Sequence, residues 1–204
     1  MVPGKQSILT TLALVATLFL AACASKPFLK VQYQLPASPK ALAGEEVALT
    51  ITDIRKDAAF LTANAKKSLK NFNNTYSLVV LNNDGSGNLI GAYDLNSLLR
   101  EIFRQRLENE GVKVAVSDEA GEMQLEIQLK EFSLDIVKRK WMLRMGYQAG
   151  LSKDTGPVAR ESVNGSAERL KVMGKSDAEK IMGELVSDMV NKLDVEKLFQ
   201  QARQ

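Results

Sequence analysis

The chain has 204 residues, enough for one domain of ordinary size or two small ones. Its 45% hydrophobic and 25% charged residues are those of a globular protein, which excludes a disordered chain, a collagen-like chain and a multi-span membrane protein. The 27 basic and 24 acidic residues leave a net charge of +3, too small an excess to argue for nucleic acid. No histidine is present, so the usual general base and the commonest metal ligand are missing, and a single cysteine excludes an intrachain disulfide or a cysteine-rich metal site.

Residues 1–7 carry one positive charge, Lys5, and Ile8–Leu20 is an uncharged run of apolar residues and threonines. That run is shorter than the roughly 20 apolar residues a spanning helix needs. It has the size of the apolar core of a secretory signal. Leu20-Ala21-Ala22-Cys23 follows, and it resembles the lipobox of bacterial lipoproteins. The resemblance implies a leader over residues 1–22, cut before Cys23. It also implies a diacylglycerol on the Cys23 thiol and an acyl chain such as palmitate on the new amine. Each buried methylene contributes about 0.8 kcal/mol, and stable anchoring takes more than one chain. The competing reading makes Cys23 an ordinary buried cysteine at the end of a core helix. The lone cysteine of the chain, placed after Leu-Ala-Ala at the end of an uncharged run, favours lipid attachment. Position +2 is Ala24, not Asp. By the sorting rule of enteric-type bacteria this implies the outer membrane, on its periplasmic face.

Residues 23–44 contain Pro27, Pro36 and Pro39 and predict a lipidated N-terminus followed by an extended tether, with a reach on the order of 60 Å at about 3.1 Å per residue. Within it, Leu29, Val31, Tyr33 and Leu35 alternate with polar residues, so a short strand against the domain is the alternative. A single domain is expected over residues 45–204. Glu46–Ile54 predicts the first firm strand. Residues 60–77, rich in lysine and asparagine, read as a loop or short helix, and Tyr76–Leu81 as a strand. Asn82-Asn83-Asp84-Gly85 and then Gly87 signal a turn.

Leu95, Leu98, Leu99, Ile102, Phe103 and Leu107 recur at helical spacing, with Asp94 as N-cap and Gly111 as stop. Val112–Val116 follows as a strand. In Met123–Ile136 the apolar parity slips near Lys130-Glu131, which predicts a bulge. Lys138-Arg139-Lys140 reads as the turn into Trp141–Leu151, whose odd positions are apolar. Val158–Val172 is a third strand. Ser176-Asp177-Ala178-Glu179 matches a capping box ahead of a second long helix with Ile181, Met182, Leu185, Val186, Met189, Val190 and Leu193 on its apolar face. Asp194 opens a short last helix. The order predicts an α+β fold, a two-layer sandwich of a mainly antiparallel sheet packed on two amphipathic helices. The outer sheet face carries Gln124, Glu126, Gln128, Lys130 and Arg144.

Four segments together, the lipobox at 20–23, the strand at 47–57, the helix region at 93–114 and the last long helix at 181–190, resemble the YajG-type lipoproteins. The resemblance covers nearly the whole mature chain in element order, with only the lipobox specific. It implies a small envelope lipoprotein without an assigned activity, and it supplies no catalytic residues.

The residues themselves give little chemistry. Gly85 to Gly91 has the wrong spacing for a dinucleotide fingerprint. Asp118, Glu119 and Glu122 cluster without the spacing of a calcium loop. A Ser-His-Asp triad is impossible without histidine. Lys66, Lys67 and Lys70, and separately Lys138-Arg139-Lys140, can touch anionic lipid or glycan or form plain charged turns. Trp141 and Tyr147 share the parity of Leu143 and Met145, which favours core over a sugar or peptide site. The expectation is a non-enzymatic lipoprotein with no cofactor, held on a membrane by its lipid and presenting a sheet face or edge to an envelope protein. The alternative is an auxiliary lipoprotein of a transport or assembly complex. A cell-wall hydrolase is the reading the absent motifs disfavour.

Overall fold

Alternation decides the longest strands. In a computed structural model of the chain, which describes residues 27–38, 40–115, 123–153 and 156–203, Trp141, Leu143, Met145, Tyr147, Ala149 and Leu151 are all buried. They form the inward face of β7 (Lys140–Lys153). The other strands are β1 (Phe28–Gln34), β2 (Glu46–Asp53), β3 (Thr75–Leu81), β4 (Gly87–Tyr93), β5 (Lys113–Ala115), β6 (Met123–Val137) and β8 (Gly156–Leu170). The helices are α1 (Ala63–Ser68), α2 (Leu95–Asn109), α3 (Lys175–Asn191) and α4 (Val195–Ala202).

The fold is α+β, with two sheets where the sequence predicts one. The smaller runs β1-β3-β4 and the larger β5-β2-β6-β7-β8. Both are mixed: β1 is parallel to β3, and β2 is parallel to β5 and β6. Among the described residues, antiparallel pairing is confined to β3–β4 and the β6-β7-β8 meander. The predicted bulge is present, as a register shift between Leu129 and Glu131. Strand β4 is hidden in the sequence because Gly87 and Gly91 read as turn residues.

Of residues 23–44, where the proline content predicts a tether, the described ones from Phe28 onward lie on the body. Leu29, Val31 and Tyr33 are fully buried, so the strand reading of that stretch is the one the structure holds. Beyond β1, the Asn109 side-chain amide donates to the Pro36 carbonyl at 2.9 Å and the Leu42 N–H donates to the Glu110 carbonyl at 3.2 Å. Glu110 also accepts from Ser38 and pairs with Arg106, the buried cation of α2.

Helix α2 starts as expected. The Asp94 carboxylate accepts from the Ser97 N–H at 2.8 Å, and Gly111 takes a φ of 91° just past the end. Its face of Leu98, Leu99, Ile102, Phe103 and Leu107 is buried. Helices α2 and α3 each touch strands of both sheets, so the two sheets share one apolar interior.

Helix α3 departs from expectation at its start. It begins at Lys175 behind Gly174, with no side-chain cap bond, so the capping box is not formed. The two carboxylates have other donors. Asp177 turns back to accept from the N–H groups of Val172 and Met173 at 2.8 and 2.5 Å. Glu179 accepts from the Lys30 N–H of β1 at 2.9 Å. Glu179, Gly183, Ser187 and Asn191 follow one another at four-residue steps, which puts them on one helix stripe. That stripe lies along the free edge of β1. Gln34 donates its N–H to Ser187 Oγ, and Asn191 donates to the Gln34 carbonyl, both at 2.9 Å. An edge strand needs such partners for its unpaired backbone groups. Here a helix supplies them.

The other end of α3 is satisfied from β7. Tyr147 Oη donates to the Met189 carbonyl at 2.9 Å, in the last turn, where helix carbonyls lack intrahelical donors. Tyr147→Phe keeps the ring packed and removes this buried bond. The expected loss is about 1–2 kcal/mol, read as a lower urea midpoint with an unchanged slope.

Candidate functional site

The outer face of the large sheet bears polar side chains, as the strand alternation requires. Gln124, Lys130 and Arg144 are exposed, and Glu126 and Gln128 are half-buried. Register aligns Thr50, Glu126, Gly150 and Arg160 in one row across four strands, and Thr52, Gln128, Gln148 and Ser162 in the next. Gly150 has no side chain to fill the row. A depression of about 280 Å³ results, lined by Glu126, Gln128, Gln148, Ser152 and Arg160. One carboxylate oxygen of Glu126 accepts from Thr52 Oγ1 at 2.8 Å and the other from Gln128 Nε2 at 3.0 Å. Lys130 Nζ donates to Gln148 at 2.7 Å. Among the described residues, Arg144 and Arg160 make no ion pair. The face thus offers a fixed carboxylate on one side of a glycine gap and a free guanidinium on the other. That arrangement suits a polar ligand with both donors and acceptors, such as a peptide.

The sheet also ends in a long edge. Strand β8 has 15 residues and closes the sheet order, whereas the opposite edge strand β5 has three. Arg160, Glu161, Glu168 and Arg169 place charge along β8, which is how an edge is kept from indiscriminate pairing.

A second cavity, of about 360 Å³, lies where the 60–77 segment meets the body, and sequence reasoning misses it. The Phe60 ring stacks on Phe132 with centroids 5.0 Å apart and meets Phe72 and Tyr76 edge-on at 5.9 and 5.6 Å. Lys66 and Lys70 line the cavity with Arg55. The Arg55 guanidinium is engaged by Asp53 at 2.7 Å and donates to the Phe132 carbonyl at 2.9 Å. Its hydrogen bond holds the Asp53 carboxyl below the usual carboxylate range. Burial pushes the Tyr76 hydroxyl up, so it stays a neutral phenol. Among the described residues, the one carboxylate lining this cavity, Asp94, caps α2. An apolar floor with lysines alongside can hold a greasy group that carries an anion. Its described lining pairs no nucleophile with a base.

The remaining sequence candidates separate. Leu20, Ala21, Ala22 and Cys23 lie outside the described residues, as do Asp118, Glu119 and Glu122. Trp141 and Tyr147 are fully buried core. Gly85 sits in the β3–β4 turn with a φ of 79°, donating its N–H to the Asn82 carbonyl at 3.0 Å. Lys138 and Arg139 form the β6–β7 turn, and Lys66 and Lys67 lie on α1. Among the described residues, no group of three or more acidic or sulfur side chains could hold a metal ion, and no helix is long and apolar enough to cross a membrane.

This α+β arrangement has a solved counterpart. The protein XCC0632 of Xanthomonas campestris, described under the family model DUF330, matches with a TM-score of 0.56 over 86% of this chain and 99% of its own, at 12% identity. That likeness is one of fold. Protein CT253 of Chlamydia trachomatis aligns with a TM-score of 0.46 over 79% of this chain and all of its own, 100%, at 9% identity. No protein-family model matches the chain, and no curated protein matches it.

Proposed function

We propose that the chain is a cell-envelope lipoprotein without enzymatic activity, held by lipid on Cys23 and presenting its α+β body as a binding module. The observation that carries this is Leu20-Ala21-Ala22-Cys23, with the lone cysteine of the chain behind an uncharged apolar run. Ala24 in the sorting position supports the outer membrane, with the body in the periplasm. The resemblance to YajG-type lipoproteins points the same way and rests on the sequence segments alone. The polar face around Glu126, Gly150 and Arg160, bordered by the β8 edge, is the surface offered to an envelope protein. An edge strand can accept a partner strand through its free backbone groups. The length of β8 favours the second reading, a subunit of an envelope transport or assembly complex.

Cys23→Ser removes the only thiol that can take a diacylglycerol. Intact mass of the protein isolated from cells is expected to show a cleaved chain carrying lipid for the native sequence and an uncleaved, lipid-free chain for the variant. A native chain with a bare thiol and its leader in place sinks the lipoprotein reading. Recovery with the inner membrane would overturn only the sorting step.

A further inference from the structure

The β6–β7 hairpin turns through Lys138 and Arg139, both in the left-handed region with φ of 48° and 65°. Two-residue turns of this kind favour Asn-Gly, because a side chain at positive φ is strained. The chain accepts that strain and puts two cations at the tip. Among the described residues neither makes an ion pair.

Beside this tip, the end of β8 and the loop into α3 expose large apolar side chains. Leu170, Val172 and Met173 are 61%, 80% and 74% exposed, and Val137 of the hairpin is also exposed. The two segments form one surface. Lys140 lies opposite Leu170, and the Lys171 N–H donates to the Arg139 carbonyl at 2.9 Å. The loop is held in place while its apolar side chains face out. Asp177 binds the Val172 and Met173 N–H groups, and Trp141 Nε1 donates to the Gly174 carbonyl at 3.1 Å.

Lys171 Nζ donates to Ser68 Oγ at 2.7 Å, which brings α1 to the same end, with Lys67 and the adjoining Lys70 exposed and outside any ion pair among the described residues. Phe28, the first residue of β1, lies there too, with Lys175 Nζ 5.3 Å from its ring centroid. The carboxylates of this end are engaged. Glu168 pairs with Lys140, Glu179 lies 3.7 Å from Lys175, and Asp177 holds the loop. Lys67, Lys70, Lys138 and Arg139, all exposed, therefore keep their charge toward solvent.

We propose that this end of the molecule is a docking surface for an anionic phospholipid bilayer, with Leu170, Val172 and Met173 entering the interface and Lys67, Lys70, Lys138 and Arg139 facing the headgroups. Clustered exposed apolar side chains mark a surface that something covers. Apolar groups rimmed by cations match the layered chemistry of an anionic membrane surface. The chain outside the structure agrees. It leaves from Pro27, next to Phe28, and Cys23 is four positions before Pro27, a separation of at most about 15 Å. This last argument rests on the lipoprotein reading; the chemistry of the surface does not. The body would then stand with the β3–β4 turn away from the membrane, since β1 runs parallel to β3 and Leu81 lies at the end opposite Phe28.

The test uses the full chain purified from membranes and reconstituted on phosphatidylcholine vesicles with or without phosphatidylglycerol. V172W and N83W are read by quenching with bromine-labelled lipids, against the native chain, whose single Trp141 is buried. V172W is expected to be quenched several-fold more than N83W on the anionic vesicles. In the V172W background, K138N/R139G supplies the favoured turn, so it should raise the melting temperature while the quenching falls toward that of N83W. Equal quenching of V172W and N83W on vesicle-bound protein overturns the proposal, as would an acidic partner protein being required before V172W is shielded. Intact mass reports the anchor separately. A bare thiol with V172W quenched refutes only the Cys23 reading, and a lipid-bearing chain with V172W unquenched refutes only the docking surface. A chain with neither lipid nor affinity for anionic vesicles overturns both.

Discussion

Gly183→Leu is expected to yield no folded protein, and Gly183→Ala a folded but weakened one. Gly183 lies in the middle of α3, where glycine is the poorest ordinary helix former, about 1 kcal/mol worse than alanine. Propensity alone predicts that alanine stabilises. Packing decides otherwise. A Cβ on Gly183 would sit 2.7 Å from the Gln32 carbonyl oxygen and 3.2 Å from the Gln32 nitrogen, both backbone atoms of β1. Neither can swing aside like the tip of a side chain. The helix would have to move off β1, and the bonds made by Glu179, Ser187 and Asn191 along the same stripe would lengthen together. Overpacking of this kind costs about 1–3 kcal/mol, so after a propensity gain of about 1 kcal/mol alanine should come out destabilising by up to about 2 kcal/mol, the backbone contact at 2.7 Å putting it toward the upper end. Leucine adds a branched side chain where there is no room and should exhaust a stability of roughly 5–15 kcal/mol. Urea unfolding followed by circular dichroism checks both variants. A more stable Gly183→Ala protein would mean that α3 does not press on β1 as closely as described.

The same stripe shows where sequence reasoning stops. Read along α3, the residues Glu179, Gly183, Ser187 and Asn191 look like a solvent face, because nothing local says that a strand edge needs their hydrogen bonds. Strand β1 is legible by its alternation, but its parallel partner β3 comes from more than forty residues further on. Parallel pairing leaves no turn signature between the two strands. That is why the second sheet is invisible before the structure. In contrast α2, the bulge near Lys130 and the inward face of β7 depend on short-range pattern, and each is where the periodicity puts it. The site divides on the same line. The outward parity of Gln124, Lys130 and Arg144 is local information. The aromatic cavity around Phe60 is assembled from separate segments, Phe60, Phe72, Tyr76 and Phe132, and no spacing announces it.

Leu99→Asp is expected to abolish the folded state at neutral pH, and its pH dependence carries the stronger argument. Leu99 is fully buried on α2, a helix that meets both sheets. The substitution deletes a buried leucine, at about 2–5 kcal/mol, and adds an unpaired carboxylate whose desolvation costs several kcal/mol more. One effect opposes the loss. Residue 99 is the fifth of α2, so it keeps at most part of the roughly 0.3–1 kcal/mol that a negative charge gains from the helix dipole within the first turn. That is too small to decide the outcome. Arg100→Asp is the control, since Arg100 is exposed one position further on and shares the dipole gain without the burial. It should change stability by no more than about 0.5 kcal/mol. Burial raises the pKa of the new carboxyl in the folded state above its unfolded value of about 3.9. The unfolded chain then releases its proton first, so the penalty is smallest at acid pH and grows as pH rises above about 4. Leu99→Asn, polar but uncharged, should lose stability without that slope. Stability curves for the three variants between about pH 4 and 7 therefore separate charge burial from cavity formation, and a flat difference between the Asp and Asn variants would place residue 99 against water.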